Sequence, residues 1–188
     1  LVQAALQGLD RKYMAPYVDN LCVSNETFED HLTQLEKVLK ATQKAGLTIN
    51  PEKCQLFQNE VDFLGHRVSS KGISMIPENV KAIELWELPN TIEKIRMFLG
   101  KTSYYRKFIK NYSILAEPLS KLITKQNLEK KSKEIILTEE EKNCFKKLKQ
   151  CLMEAPILAF PDFKSKNPFI LDTDFSKKGI GATLSQVQ

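Results

Sequence analysis

No stretch of this chain stays apolar for the roughly 18 to 20 residues that a membrane-spanning helix requires, and its first residues lack the basic-then-apolar layout of a signal peptide. Neither a membrane span nor a secretory leader is expected, so the chain is expected to be intracellular, cytoplasmic or nuclear, with no membrane partner. Cysteine is scarce and scattered. Cys22, Cys54, Cys144 and Cys151 contain no CxxC pair, and His31 and His66 are the only imidazoles that could join them. That pattern argues against a zinc site and leaves the thiols as small, reduced hydrophobes. An internal repeat is also lacking, which removes solenoid architectures.

What is present fits a soluble globular protein: of 188 residues, 42% are hydrophobic and 27% charged. The length suits one ordinary domain or parts of two. The net charge of +5 is unevenly placed. Residues 26–62 carry seven acids against four lysines, whereas residues 94–133 carry eleven bases against Glu117 and Glu129. The basic block includes Lys94, Arg96, Lys101, Arg106, Lys107 and Lys110. Two readings are open on charge alone: the footprint of a polyanion, or a solvated helix face followed by a lysine-rich linker.

Residues 14–23 hold two short β-prone runs around Asp19-Asn20, a dipeptide suited to a tight hairpin turn. Ser24 or Asn25 is then expected to cap a helix whose apolar stripe is Phe28, Leu32, Leu35 and Leu39, ending at Gly46. Residues 55–73 read as paired strands with turns at Gln58-Asn59 and Lys71-Gly72. Pro77 opens a helical region and Pro89 interrupts it. Asn90 with Glu93 suggests a capping box for a helix through Ile95, Phe98, Leu99 and Thr102, continuing past Tyr105 to Phe108. A further short helix carries Leu115, Leu119 and Leu122. Residues 125–134 are a polar linker, and Thr138 with Glu141 is a second capping box, before a helix with Phe145, Leu148 and Leu152 inward. Three prolines then separate strand-like runs at 157–160, 169–173 and 180–184.

Tyr17-Val18-Asp19-Asn20 resembles the Tyr-x-Asp-Asp box of reverse transcriptases. Four further blocks follow in the order seen in gypsy-type LTR retrotransposon Pol polyproteins. They are Phe63-Leu64-Gly65-His66 with Gly72-Ile73; Phe98-Leu99-Gly100; Tyr104-Tyr105-Arg106-Lys107-Phe108-Ile109; and Ala155-Pro156-Ile157-Leu158 with Pro161-Asp162-Phe163. Thr173-Asp174 with Gly179-Ile180-Gly181-Ala182 resembles the opening hairpin of the linked ribonuclease H domain.

This resemblance implies an α+β fold in three parts: the C-terminal half of a polymerase palm at 1–76, a helical thumb or connection with its linker at 77–137, and the first strands of a ribonuclease H-like domain at 138–188. It implies catalytic positions at Asp19, Asn20 and Asp174, with Asp19 and Asp174 binding Mg2+ or Mn2+. It also implies a primer grip at Phe63, Leu64, Gly65 and His66, and nucleic-acid contacts from Arg96, Lys101, Tyr104, Tyr105, Arg106 and Lys107. At helical spacing, Tyr104 and Tyr105 read as core residues more readily than as stacking platforms. The implied partners are an RNA·DNA hybrid or a template-primer, with the remaining parts of the polyprotein.

The sequence departs from the family at Asn20, where a second carboxylate is expected, and at Leu137, where a tryptophan is usual. An amide oxygen coordinates a hard cation but balances none of its charge. Three functional readings follow: a fragment of an RNA-directed DNA polymerase and ribonuclease H that is catalytically incomplete alone, a non-catalytic nucleic-acid-binding or interaction module, and a relic without function.

Overall fold

The computed structural model describes residues 2–126, 134–176 and 179–187, side chains excepted at 125, 126, 174–176, 179–181 and 183. The chain divides into two compact units, Leu1–Gln58 and Asn59–Gln188. No helix among the described residues is long and apolar enough to cross a membrane.

The first unit opens with a short helix α1 (Val2–Ala5) and a hairpin of β1 (Met14–Tyr17) and β2 (Asn20–Val23), backed by helix α2 (Phe28–Lys44). Thr27, not Ser24 or Asn25, caps α2. Its hydroxyl accepts from the Asp30 amide at 3.2 Å, satisfying one of the donors a helix start leaves bare. The buried core is small, made by Leu6, Met14 and Val38, with Val2, Leu9, Leu21, Val23 and Ala41 packed around it.

The apolar stripe of α2 does not face this core. Gln34, Val38 and Thr42 are the buried residues of the helix, while Phe28, Leu32 and Leu39 are exposed. Phe57 lies 5.3 Å from Phe28, ring to ring, and Ile49 and Leu56 are exposed as well. An uncovered apolar face on a thin core makes local opening easy. Limited proteolysis is therefore expected to cut within residues 24–58 before it cuts within 77–126. First cleavage inside 77–126 would contradict this.

The second unit starts with a three-stranded antiparallel sheet, β3 (Glu60–Phe63), β4 (His66–Ser69) and β5 (Gly72–Met75), in that order. The first turn falls at Leu64-Gly65 and not at Gln58-Asn59, because Phe63 pairs with His66. Leu64 and Gly65 both have positive φ, 47° and 70°, as a two-residue type I′ hairpin loop demands. Leucine carries no propensity for that conformation, which is why the turn was invisible in the sequence. Arg67 binds its cross-strand partner Asp62 through two nitrogens, at 2.9 and 3.2 Å, which pins the register.

Four helices follow: α3 (Pro77–Glu84), α4 (Ile92–Tyr104), α5 (Tyr112–Gln126) and α6 (Glu139–Met153). Proline stands at the start of α3 as expected. Thr91 caps α4 in place of Asn90, whose oxygen instead accepts from the Lys94 ammonium at 2.9 Å. The Thr138–Glu141 capping box is present in full. Helix α4 stops at Tyr104, and residues 106–108 form a separate 3-10 turn, shorter than the continuous helix the apolar spacing suggested.

The core of this unit is continuous across these helices. It joins Met75 and Ile83 to Ile95, Phe98, Tyr105, Leu119, Leu137, Phe145, Leu148 and Leu152. Phe98 lies 4.5 Å from Phe145 and edge-on to Trp86. After α6, Leu158 pairs with Ile73 through two reciprocal backbone hydrogen bonds of 2.8 Å, so the chain returns to β5. Strands β6 (Phe169–Ser176) and β7 (Gly179–Gln186) form a final antiparallel pair. Of the linker read at 125–134, residues 127–133 lie outside the described residues.

Candidate functional site

The Asp19 hairpin belongs to the first unit. Its register pairs Tyr17 with Asn20, so the two loop residues are Val18 and Asp19, and Asn20 is the first residue of β2. The turn is thus one residue earlier than the Asp-Asn dipeptide suggested. Val18 adopts φ 53°, a conformation that a β-branched residue reaches only under strain of about 1–3 kcal/mol. Exposed at the tip, Asp19 is free of close packing, and its Oδ1 lies 3.5 Å from the Asn20 amide nitrogen, at the long limit of a hydrogen bond.

That contact bears on metal binding. Two adjacent carboxylates repel and are reconciled by a cation between them, whereas here the amide turns its donor toward the single carboxylate. Among the described residues, no group of three or more His, Cys, Asp or Glu side chains could hold a metal ion. The donors at the hairpin therefore do not fit a two-ion centre by themselves. Asp174 lies in β6 opposite Gly181, and its side chain lies outside the described residues. The four thiols are free, with Cys144 buried and Cys54 exposed.

The second unit brings several of the expected residues together. Around the Leu64-Gly65 turn stand the end of α4 and the 3-10 turn after it. Tyr104 donates its hydroxyl to the Leu64 carbonyl, and Tyr105 donates to the Gly65 carbonyl at 2.9 Å. The His66 ring lies 5.3 Å from Tyr104, 5.4 Å from Tyr105 and 5.9 Å from Phe108. Its Nδ1 is 2.8 Å from Leu64 O, and a carbonyl only accepts, so Nδ1 carries the proton. Nε2 is then the unprotonated atom, buried and without a partner among the described residues. Burial pushes the His66 imidazole below its ordinary range and Lys107 adds to the depression, against the opposing effect of the Leu64 bond. A neutral ring suits this pocket, since a proton on Nε2 would have no acceptor.

The basic side chains divide. Arg106, Lys107 and Lys110 are exposed on and just after the 3-10 turn, with Lys107 held 5.3 Å from the Phe108 ring centroid. Arg96 is exposed on α4, but Lys101 is half-buried and donates to Asn79 Oδ1 at 2.8 Å, which draws it toward α3. Asn79, an ordinary polar position in the first turn of α3, carries no local pattern that marks it as this partner. Burial raises the Tyr105 hydroxyl above its usual range and Tyr104 adds to this, opposed by a hydrogen bond with Asn79.

Along α4 the buried residues Ile95, Phe98, Leu99 and Thr102 leave Met97, Gly100 and Tyr104 on the opposite side. Met97 and Tyr104 are 60% and 52% exposed, and nothing stands within 4 Å of where a Cβ of Gly100 would be, so a partner could reach the helix backbone there.

Residues 1–68 match the family described as reverse transcriptase (RNA-dependent DNA polymerase), and residues 137–188 match the RNase H-like domain found in reverse transcriptase. The retrovirus-related Pol polyprotein from transposon gypsy of Drosophila melanogaster is 39% identical over 176 residues, 90% of this chain and 17% of the relative. The chain belongs to the gypsy-type retrotransposon Pol polyproteins. Its matched regions correspond to the reverse transcriptase and RNase H-like parts of such proteins.

Other relatives agree with this membership. The Pol polyprotein from Drosophila transposon 297 is 37% identical, over 96% of this chain and 16% of its own length. The transposon Tf2-7 polyprotein of Schizosaccharomyces pombe is 32% identical, over 98% of this chain and 13% of its own length. The chain thus spans under a fifth of these relatives. Among solved structures, a foamy viral protease-reverse transcriptase in complex with double-stranded DNA superposes with a TM-score of 0.80 at 26% identity, covering 98% of this chain and 31% of that one. The foamy viral protease-reverse transcriptase in complex with an RNA/DNA hybrid gives 0.79 at the same identity, covering 98% of this chain and 24% of that one. Reverse transcriptase and ribonuclease H families work with divalent metal ions; in this Pol segment the described donors are those given above.

Proposed function

We propose that this Pol segment holds the template-primer duplex of a retrotransposon reverse transcriptase, with the Phe63–His66 hairpin acting as a primer grip and α4 lying along the duplex. The observation that carries the reading is the exposed face of α4. Met97, Gly100 and Tyr104 make an uncharged stripe that Glu93 continues in the first turn, with Arg96 to one side of it and Lys94 to the other, while Lys101 is drawn toward Asn79. Such a face can approach a groove closely while bases on its margins meet the phosphate walls, which positions a duplex without reading its sequence. Arg106, Lys107 and Lys110 extend the basic surface beyond the helix end. Residues 1–76, 77–137 and 138–188 would then be palm, thumb with connection, and the start of the ribonuclease H-like domain.

In the same reading Asp19 is the carboxylate at which a divalent ion would bind, with Asn20 contributing at most a neutral oxygen. Mg2+ or Mn2+ would be held weakly there, and Asp174 is the corresponding candidate in β6. A non-catalytic binding module is the second reading, favoured by the amide of Asn20 standing where a second carboxylate is expected.

Both readings require duplex binding, and salt dependence tests it. Fluorescence anisotropy with an RNA·DNA hybrid is expected to give a log-log salt slope of about −3 to −4, since each neutralised phosphate contributes roughly −0.9. Replacing Arg106 and Lys107 by alanine should flatten the slope by about one to two units, and replacing Lys130 and Lys131 should flatten it less. Equal losses from the two pairs would mean a diffuse lysine cloud and no thumb-like surface.

A further inference from the structure

The tip of the β3–β4 hairpin has two turn carbonyls, and both are held from one place 40 residues further along the chain. Tyr104 and Tyr105 are consecutive, so their side chains leave the end of α4 in different directions. The buried Tyr105, 1% exposed, comes from the core side and reaches Gly65 O. The half-exposed Tyr104 comes from the outer face and reaches Leu64 O, where His66 Nδ1 supplies a second donor. A carbonyl oxygen accepts two hydrogen bonds, so the Leu64 acceptor is filled.

Gly65 completes the fit, because a Cβ there would stand 3.2 Å from both Cε1 and the hydroxyl of Tyr104. Packing alone accounts for the Tyr105 ring. It does not account for the Tyr104 ring, which is open to solvent on one side and owes its place to the hydroxyl contact and the neighbouring His66 ring.

We propose that Tyr104 and Tyr105 are positioning residues whose hydroxyls fix the Leu64-Gly65 turn to the end of α4. The clasp sets the height of the hairpin tip over the helix end, independently of the sheet hydrogen bonds that join β3 to β4. One consequence rests on the reading of α4 as the duplex face. Tyr104 shares that face with Met97 and Gly100, so a duplex seated on α4 would bear on the same ring that holds the hairpin tip. The grip would then be placed by the helix that tracks the duplex.

Tyr104→Phe and Tyr105→Phe remove only the hydroxyls and keep the rings, and amide hydrogen exchange of the whole chain reads the result. In free protein, exchange at residues 64–67 is expected to rise about three- to tenfold in Tyr105→Phe, the scale of one lost hydrogen bond. A smaller rise is expected in Tyr104→Phe, because His66 still serves Leu64 O. Amides of α6 at residues 144–152 should be unchanged in both variants. Unchanged exchange at 64–67 in both variants would overturn the clasp, and so would an equal rise in α6, which would mean general destabilisation. With an RNA·DNA hybrid added, the wild-type chain should be protected on α4 and at the hairpin, whereas Tyr104→Phe should keep the first and lose most of the second. Absence of any protection in the wild type would sink the duplex reading and the coupling, while the free-protein exchange would still decide the clasp.

Discussion

Primer extension by this chain, supplied with either magnesium or manganese, is expected to show no incorporation above an Asp19→Ala control. Phosphoryl transfer by two metal ions places them roughly 3.5–4 Å apart, one on the attacking hydroxyl and one on the triphosphate, and needs carboxylates that bridge them. The described residues bring one carboxylate to the hairpin tip, and the group beside it is an amide that turns its nitrogen toward Asp19. A single carboxylate does not neutralise two divalent ions, and no cluster of three ligating side chains exists elsewhere among the described residues. Asn20→Asp restores the charge but still leaves two carboxylates on adjacent residues, so by itself it is expected to strengthen binding of one divalent ion without producing extension. Metal titration followed by isothermal calorimetry measures the first effect, and the primer assay measures the second. Incorporation by the wild-type chain that disappears in Asp19→Ala would overturn this expectation and show that an Asp-Asn pair suffices.

Gly72→Ala is expected to remove most of the stability of the second unit. Gly72 opens β5 with φ 130°, and a Cβ there would lie 2.2 Å from Leu158 O and 2.8 Å from Leu158 C. Both obstacles are backbone atoms, so no side chain can swing aside. The contact is tight because Ile73 and Leu158 exchange two hydrogen bonds of 2.8 Å immediately beside it.

An alanine would part these strands and break both hydrogen bonds, leaving two donors and two acceptors of the half-buried Ile73 and Leu158 backbone unpaired at about 1–3 kcal/mol for each bond lost, in addition to the strain of its own backbone. That sum is comparable to the whole stability of a marginal domain, about 5–15 kcal/mol. The chain has one tryptophan, and Trp86 packs edge-on to Phe98, so urea unfolding followed by its fluorescence reports on this unit. Gly100→Ala is the matched control. It sits mid-helix with open space around it and should leave the midpoint unchanged or raise it slightly, corresponding to a gain in stability of about 0.5–1 kcal/mol. A Gly72→Ala midpoint equal to that of the wild type would show that the pairing with Leu158 contributes little.

Asn20 and Gly72 differ in how far away the cause of their effect lies. The substitution at Asn20 is a local fact, visible as soon as Tyr17-Val18-Asp19-Asn20 is set beside its family box. Gly72 looked like half of a Lys71-Gly72 turn. Its neighbour across the new strand pair, Leu158, lies in a run separated from it by the four helices α3 to α6, and no spacing rule links them. The tyrosines illustrate the same limit. Helical spacing suggested core residues, which describes Tyr105 but not the half-exposed Tyr104, and neither hydroxyl partner was foreseeable from residues 40 positions away.

By itself the sequence determined the order of the motif blocks, the membership they carry, most of the helices and the Thr138–Glu141 capping box. These depend on neighbours within a few residues, where propensity and periodicity act directly. Tertiary structure alone decided which face of α2 is buried, since Phe28, Leu32 and Leu39 form a good amphipathic stripe yet lie exposed while Gln34, Val38 and Thr42 face inward. It also decided where the Leu64-Gly65 turn sits, that Lys101 turns to Asn79, and that Gly72 admits no side chain. Each of these depends on which distant surface is near enough to cover an apolar face, accept a hydrogen bond or exclude a methyl group. Local patterning says only that a residue could meet such a surface; the packed chain supplies it.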